Sequence, residues 1–107
     1  MDPEQAEIRD ASSRIFGNRY RAELLLALAT ATDGVCLGDL AAALGAPPSV
    51  YQGPVRALMN AGLVTREIKT PGDRRRWYRR SGDPKWWTQL RGVLEGLPGA
   101  AAAQAVG

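Results

Sequence analysis

The sequence predicts a mainly α-helical fold carrying a small β-hairpin, and three observations carry that prediction. Apolar residues recur at helical spacing in successive stretches bounded by glycine or proline. Two short helical stretches, residues 38–44 and 48–61, meet across the tight turn Gly45-Ala46-Pro47. Residues 63–69 and 75–80 then read as strands on either side of Thr70-Pro71-Gly72-Asp73, a turn with proline and glycine where a type II turn wants them.

The first helix is expected over residues 3–16. Asp2 can cap it, Pro3 suits its first position, and Gln5 stands where a capping box places it. Ile8, Ala11 and Ile15 fall on one face. Gly17 closes this helix, and Asn18 is placed to cap the second, residues 19–31. There Leu24, Leu25 and Leu28 form the main stripe and Leu26 widens it, so this helix should be the most buried. Asp33-Gly34 signals a turn. Val35-Cys36-Leu37 is long enough only for an edge strand.

The third helix, residues 38–44, points Leu40, Ala41 and Leu44 one way, with Gly45 at its left-handed C-terminal position. The fourth starts at Pro48 or Ser49 and ends near Ala61. Val50, Tyr51, Val55, Leu58 and Met59 supply its apolar contacts. Gly53-Pro54 interrupts it: an interior proline removes a hydrogen bond and costs about 3 kcal/mol. Either the helix bends, or residues 48–52 form a separate turn and a new helix starts at Pro54. In the hairpin, alternation sends Trp77 and Tyr78 to opposite faces. A last helix, residues 84–97, lines up Trp86, Leu90, Val93, Leu94 and Leu97, and Pro98-Gly99 ends it. One of Trp86 and Trp87 should pack in the core or in a dimer interface while the other covers its edge. Residues 1–97 thus read as one domain, and 98–107 as a flexible tail.

Charge is distributed unevenly. Residues 66–80 hold seven of the chain's fourteen basic residues against two acids, although the net charge is only +3. Such a block can hold a polyanion locally, or it can be a solvated hairpin. The chain has no histidine and a single cysteine, Cys36, flanked by Val35 and Leu37. That composition predicts no intrachain disulfide, no metal site and no cofactor. No glycine-rich phosphate loop, nucleophile elbow or catalytic triad is visible, so no enzymatic activity is expected. The acidic MDPEQAE start and the absence of a long apolar run predict a cytoplasmic protein without signal peptide or membrane span.

The order of elements is that of a winged helix-turn-helix. The stretch GDLAAALGAPPSVYQGPVRALMNAGLV resembles the core of ArsR-like bacterial regulators, with MarR-like ones next. The resemblance rests on Leu40-Ala41, Leu44-Gly45, Leu58, Ala61-Gly62-Leu63-Val64 and the basic hairpin ending in Trp77-Tyr78. It covers about residues 18–80. It implies a dimeric, sequence-specific regulator of transcription, a repressor, with the fourth helix in the major groove of double-stranded DNA and the hairpin as a wing. In that arrangement Ser49, Gln52 and Arg56 face DNA. Ser49 could instead be a simple N-cap. Gln52 can read adenine, and Arg56 can read guanine or hold phosphate. Arg66, Lys69, Arg74, Arg75, Arg76 and Arg79, with Arg80, supply the wing contacts, an arginine at the tip suiting a narrow minor groove. The departure from the usual polar pattern is Gly53-Pro54.

In ArsR-like proteins the terminal helices form the dimer interface. The resemblance therefore implies a symmetric homodimer through Ile8, Ile15, Trp86, Leu90, Val93 and Leu94. The paired cysteines or histidines of metal-sensing relatives are missing, which leaves room for an unidentified small-molecule effector. The competing reading is a protein-interaction or ligand-binding module on the same scaffold, without specific DNA readout.

Overall fold

The computed structural model describes residues 3–104. The elements run α1 (Pro3–Phe16), α2 (Arg21–Thr30), β1 (Val35–Cys36), α3 (Leu37–Leu44), α4 (Ser49–Asn60), β2 (Val64–Glu67), β3 (Trp77–Arg80), α5 (Pro84–Glu95) and α6 (Ala100–Gln104). The expected cap Asp2 lies outside the described residues.

Helix α2 is the centre of the molecule. Every residue from 22 to 29 is buried, because α1, α4, α5, α6 and β3 all pack around it. Full burial of each leucine stabilises by roughly 1.5–3 kcal/mol. Its start is later than expected. Asn18 accepts from the Tyr20 amide at 2.9 Å, and Ser12 of α1 accepts from the Ala22 amide at 2.9 Å. The first turn of α2 is thus satisfied partly from a neighbouring helix.

The sheet has the order β1-β3-β2, antiparallel throughout. The two-residue β1 is the edge strand expected. The hairpin ladder is shorter than the sequence suggested: Val64 faces Arg80 and Glu67 faces Trp77, and residues 68–76 lie outside it. The turn chemistry is as read. Gly72 has φ +84°, and the Asp73 amide donates to the Thr70 carbonyl at 3.0 Å. Tyr78 is buried beneath the sheet, while Trp77 on the other side is only partly covered.

Helix α4 is continuous across Gly53-Pro54, so no separate helix begins at Pro54. Pro54 faces inward with Tyr51 and Val55. Of the two tryptophans, Trp87 is the interior one. Its Nε1–H donates to the carbonyls of Ser81 (2.9 Å) and Leu63 (3.2 Å), and Trp86 lies edge-on at 4.9 Å. Asp83 caps α5 by accepting from the Lys85 amide.

Two expectations are corrected. Residues 98–104 are not a loose tail: α6 packs on α1 and α2, with Ala100 and Ala103 buried. Small residues allow that approach, and it is closest at Gly99 (φ +77°), where a Cβ would lie 2.0 Å from the Glu4 carbonyl oxygen. Residues 105–107 lie outside the described residues. Ile8 and Leu94, assigned to a dimer interface, are consumed by the chain's own core at 1% and 0% exposure. Ile15, Trp86 and Val93 remain exposed and Leu90 half-buried.

Candidate nucleic-acid interface

Helix α4 presents one face outward at helical spacing: Ser49, Gln52, Gly53, Arg56, Ala57 and Asn60 are all exposed. The opposite face, Tyr51, Pro54 and Val55, is buried. The inward turn of Pro54 places the apolar ring in the core and leaves the long polar side chains outside. Ser49 is the first helical residue, and no side chain caps α4, so the N-cap role is not the one it takes.

The helix start offers fewer free amides than usual. Pro47 and Pro48 have no N–H. Val50 and Tyr51 donate theirs back to the Pro47 and Pro48 carbonyls at 3.2 and 3.1 Å. Contacts to an anion here therefore fall mainly to side chains.

Two shallow grooves join α4 to the hairpin. Gln52, Arg56, Arg66 and Arg76 line one. Pro48, Gln52, Arg75 and Arg76 line the other, which runs to the start of α3. Gln52 and Arg76 belong to both, so helix and wing form one continuous surface. Among the described residues, Ser49, Gln52, Arg56, Arg66, Arg74 and Arg76 have no intramolecular side-chain hydrogen bond or ion pair. Four arginines are thus exposed and uncompensated.

The remaining wing cations are engaged. Arg75 pairs with Asp73 (Nη2–Oδ2 3.0 Å) and also lies over the Trp77 ring at 5.4 Å. That hydrogen bond holds the Asp73 carboxyl below the usual carboxylate range and raises Arg75 above its ordinary value. Lys69 stacks on Trp77 at 4.1 Å, a cation–π contact that steadies the hairpin. Arg79 pairs with Glu67 at 3.2 Å. The ladder sets Arg66 opposite Tyr78, so alternation puts Arg79 on the other sheet face. Arg80 donates to the Ala29 carbonyl and closes the end of α2. Arg79 and Arg80 therefore stand apart from the surface that Gln52, Arg56, Arg66, Arg75 and Arg76 share, while Lys69 shares the Trp77 ring with Arg75.

Sequence reading missed a buried polar cluster behind this surface. Arg9 of α1, Glu23 of α2 and Tyr51 of α4 are 2%, 2% and 0% exposed. Arg9 Nε donates to Glu23 Oε1 at 2.7 Å, and Arg9 Nη2 donates to the Leu44 carbonyl at 2.6 Å. Tyr51 Oη donates to Glu23 Oε2 at 2.6 Å. The hydrogen bond to Glu23 raises Arg9, and burial first, then the hydrogen bond to Glu23, raises the Tyr51 phenol. The signal was Glu23 itself: a carboxylate inside an apolar helix must find partners.

Among the described residues no three His, Cys, Asp or Glu side chains are grouped to hold a metal ion, and no helix is long and apolar enough to cross a membrane.

No protein-family model matches the chain. Over 51 residues it is 48% identical to a Halobacterium salinarum protein named as a putative arsenical resistance operon repressor, ArsR2, a match covering 48% of this chain and 43% of that protein. The chain thus matches less than half the length of that curated relative. Among solved structures, a MarR-family transcriptional regulator from Rhodococcus sp. RHA1 superposes with TM-score 0.57 at 26% identity, over 95% of this chain and 68% of that one. A MarR-family protein of Mycobacterium tuberculosis, crystallised with salicylic acid, gives 0.53 at 20% identity, over 96% and 70%. With its helix-turn-helix, its three-stranded sheet and these likenesses, the chain is a winged helix-turn-helix protein of the architecture used by MarR-type regulators, similar in sequence to an ArsR-type repressor.

Proposed function

We propose that the chain is a dimeric, sequence-specific double-stranded-DNA-binding transcriptional repressor. The observation that carries this reading is the shared surface of α4 and the wing, where Arg56, Arg66 and Arg76 line the grooves with no partners of their own among the described residues, Arg74 next to them in the chain being likewise exposed and unpaired. An exposed cluster of unpaired arginines beside an exposed Gln52 fits a polyanion with readable base edges. Ser49, Gln52 and Arg56 approach the major groove, and Arg66, Arg74, Arg75 and Arg76 approach phosphates or the minor groove. Lys69, on the Trp77 ring beside Arg75, joins the wing contacts, and Arg79, paired with Glu67 on the other sheet face, acts at most through long-range charge. Ile15, Trp86, Leu90 and Val93 are the apolar side chains of α1 and α5 left for a second copy.

The test is binding to a duplex selected by the chain from a randomised pool, against random-sequence competitor. Gln52→Ala should relax preference at one base pair, and Arg75→Ala should weaken binding to all sequences. If a dimer neutralises about 6–10 phosphates, affinity should fall roughly 10³–10⁵-fold between 50 and 200 mM salt. Equal affinity for all duplexes, or a flat salt response, overturns the reading. Sedimentation as a monomer at micromolar concentration removes its dimeric part.

A further inference from the structure

The first turn of α4 is weakly built on its own. Pro48 stands at its N-cap with no side-chain cap. Val50 and Tyr51 make only the tight bonds to Pro47 and Pro48. Pro54 has no N–H to return to the Val50 carbonyl. Gly53 adds backbone freedom, with nothing within 4 Å of where its Cβ would be. Yet this turn carries Ser49 and Gln52.

What seats it is Tyr51. Its ring is fully buried, meets Tyr20 edge-on at 5.9 Å, and its hydroxyl ends on Glu23. Glu23 is held by two bonds from Arg9, at 2.7 and 3.3 Å, and Arg9 also grips the Leu44 carbonyl at the end of α3 and lies over Tyr20 at 5.1 Å. One guanidinium therefore touches α2 and α3 directly and α4 through a single carboxylate. Apolar contacts tolerate sliding among helices, whereas hydrogen bonds weaken steeply off their preferred direction, so this cluster favours the arrangement in which all its bonds are made. A buried ion pair adds little net stability over apolar packing, so specification of geometry is its best-attested use.

We infer that Arg9, Glu23 and Tyr51 are positioning residues that set the seat of the first turn of α4, and with it the aim of Gln52, from helix α1. The inference rests on the DNA-binding reading for its consequence, but not for its mechanics. It also gives α1 a route to α4: a shift of α1 against α2 changes the Glu23 carboxylate that holds Tyr51.

The test compares Tyr51→Phe, which removes one hydroxyl, with Leu94→Val in α5, a core truncation remote from α4. Amide hydrogen exchange is measured in the free chain, and discrimination between the selected duplex and random duplex in binding. Tyr51→Phe should speed exchange at residues 51–53 and 55 while leaving α5 protected, and should reduce discrimination about tenfold with the salt slope unchanged. Leu94→Val should loosen α5 and, at a protein concentration where sedimentation shows the same oligomeric state as the parent, leave discrimination unchanged. Arg9→Lys, which keeps the charge but not the two-pronged geometry, should resemble Tyr51→Phe. Unchanged exchange in α4 for Tyr51→Phe overturns the inference, as does an equal loss of discrimination in Leu94→Val. If the parent chain selects no duplex, the DNA reading fails by itself, and the exchange pattern alone then decides the seat of α4.

Discussion

Arg9 and Arg76 are the same residue put to opposite uses. Arg9 is buried at 2% exposure, with a carboxylate, a carbonyl and an aromatic ring around it. Arg76 is exposed, lines both grooves beside α4, and has no hydrogen bond or ion pair within the described residues. The first charge is committed to holding helices together. The second is uncommitted, and water hydrates it until a polyanion arrives. Between them lie graded cases: Arg80 closes a helix end, Arg79 sits in a strand-to-strand pair, and Arg75 is held by Asp73. An arginine's availability is therefore set by what the fold has already given it, not by its position in a basic run.

The sharpest way to break this contrast is to remove Arg9. Arg9→Met should leave Glu23 buried and short of a counter-charge, costing about 3–5 kcal/mol, which lowers the melting temperature by roughly 12 °C or more. Arg9→Met with Glu23→Gln should recover much of that loss, because the uncompensated charge goes with its partner. A single variant within about 1 kcal/mol of the parent would show that the cluster is not holding the helices. Calorimetry or thermal circular dichroism reads either outcome.

Gly99→Ala probes the C-terminal cover in the same way. Its Cβ would fall 2.0 Å from the Glu4 carbonyl oxygen and 2.7 Å from the Ile8 amide nitrogen, both backbone atoms. With the positive φ as well, the cost should be about 1–3 kcal/mol, read by chemical denaturation. A silent substitution would mean that α6 does not dock on α1.

These two sites are also where the sequence was hardest to read. Core stripes were legible because burial asks only for apolar bulk at the right period, which Leu24, Leu25, Leu28, Leu40 and Leu44 supply. The turn at Pro71-Gly72 was legible because its chemistry is local. The exposed face with Gln52 and Arg56 followed from the same period. Of the Arg9 cluster only Glu23, a carboxylate in an apolar helix, was legible; its partners were not, since the bonds span 14 and 28 residues and an arginine in a helix ordinarily reads as a solvated face. Helix α6 was not legible because alanines at Ala100 and Ala103 dock by smallness rather than bulk. In the wing the charges were countable but their partners were not: Arg79 meets Glu67 through the ladder register, Arg80 meets the Ala29 carbonyl of α2, and Arg75 meets Asp73 within the turn.

On the exposed side of the contrast, stability and binding should separate. Arg76→Ala should change stability by less than about 0.5 kcal/mol, as surface substitutions usually do. It should lower the slope of log affinity against log salt by about 0.9 for each phosphate it no longer neutralises, for selected and random duplex alike. Arg79→Ala, on the other sheet face and paired with Glu67, should change the slope less. Titrations at several salt concentrations give both numbers, and equal slopes for the two variants would erase the distinction between committed and uncommitted arginines.

The smallest effect, and the finest test, lies at Arg75, which pairs with the half-buried Asp73 and lies over the Trp77 ring. The bonds from Arg75 hold the Asp73 carboxyl below the usual carboxylate range. In the unfolded chain that carboxyl titrates near its ordinary value of about 3.9. A depressed carboxylate contributes stability that is fully present above that value and is lost as pH falls through the lower folded value. At neutral pH the pair is therefore complete, and acid releases Arg75 without charging any new group in the wing. Arg75 is exposed and Asp73 only half-buried, so the contribution to stability is small. The pairing can be read directly: the Asp73 side-chain resonance should titrate at higher pH in Arg75→Gln than in the parent. Asp73→Asn should do at pH 7 what acid does, freeing Arg75 and removing a negative charge from the wing, with a modest gain in affinity for random duplex. If the Asp73 titration does not move when Arg75 is replaced, the two are not paired in solution, and Arg75 joins Arg76 among the arginines that the fold leaves uncommitted.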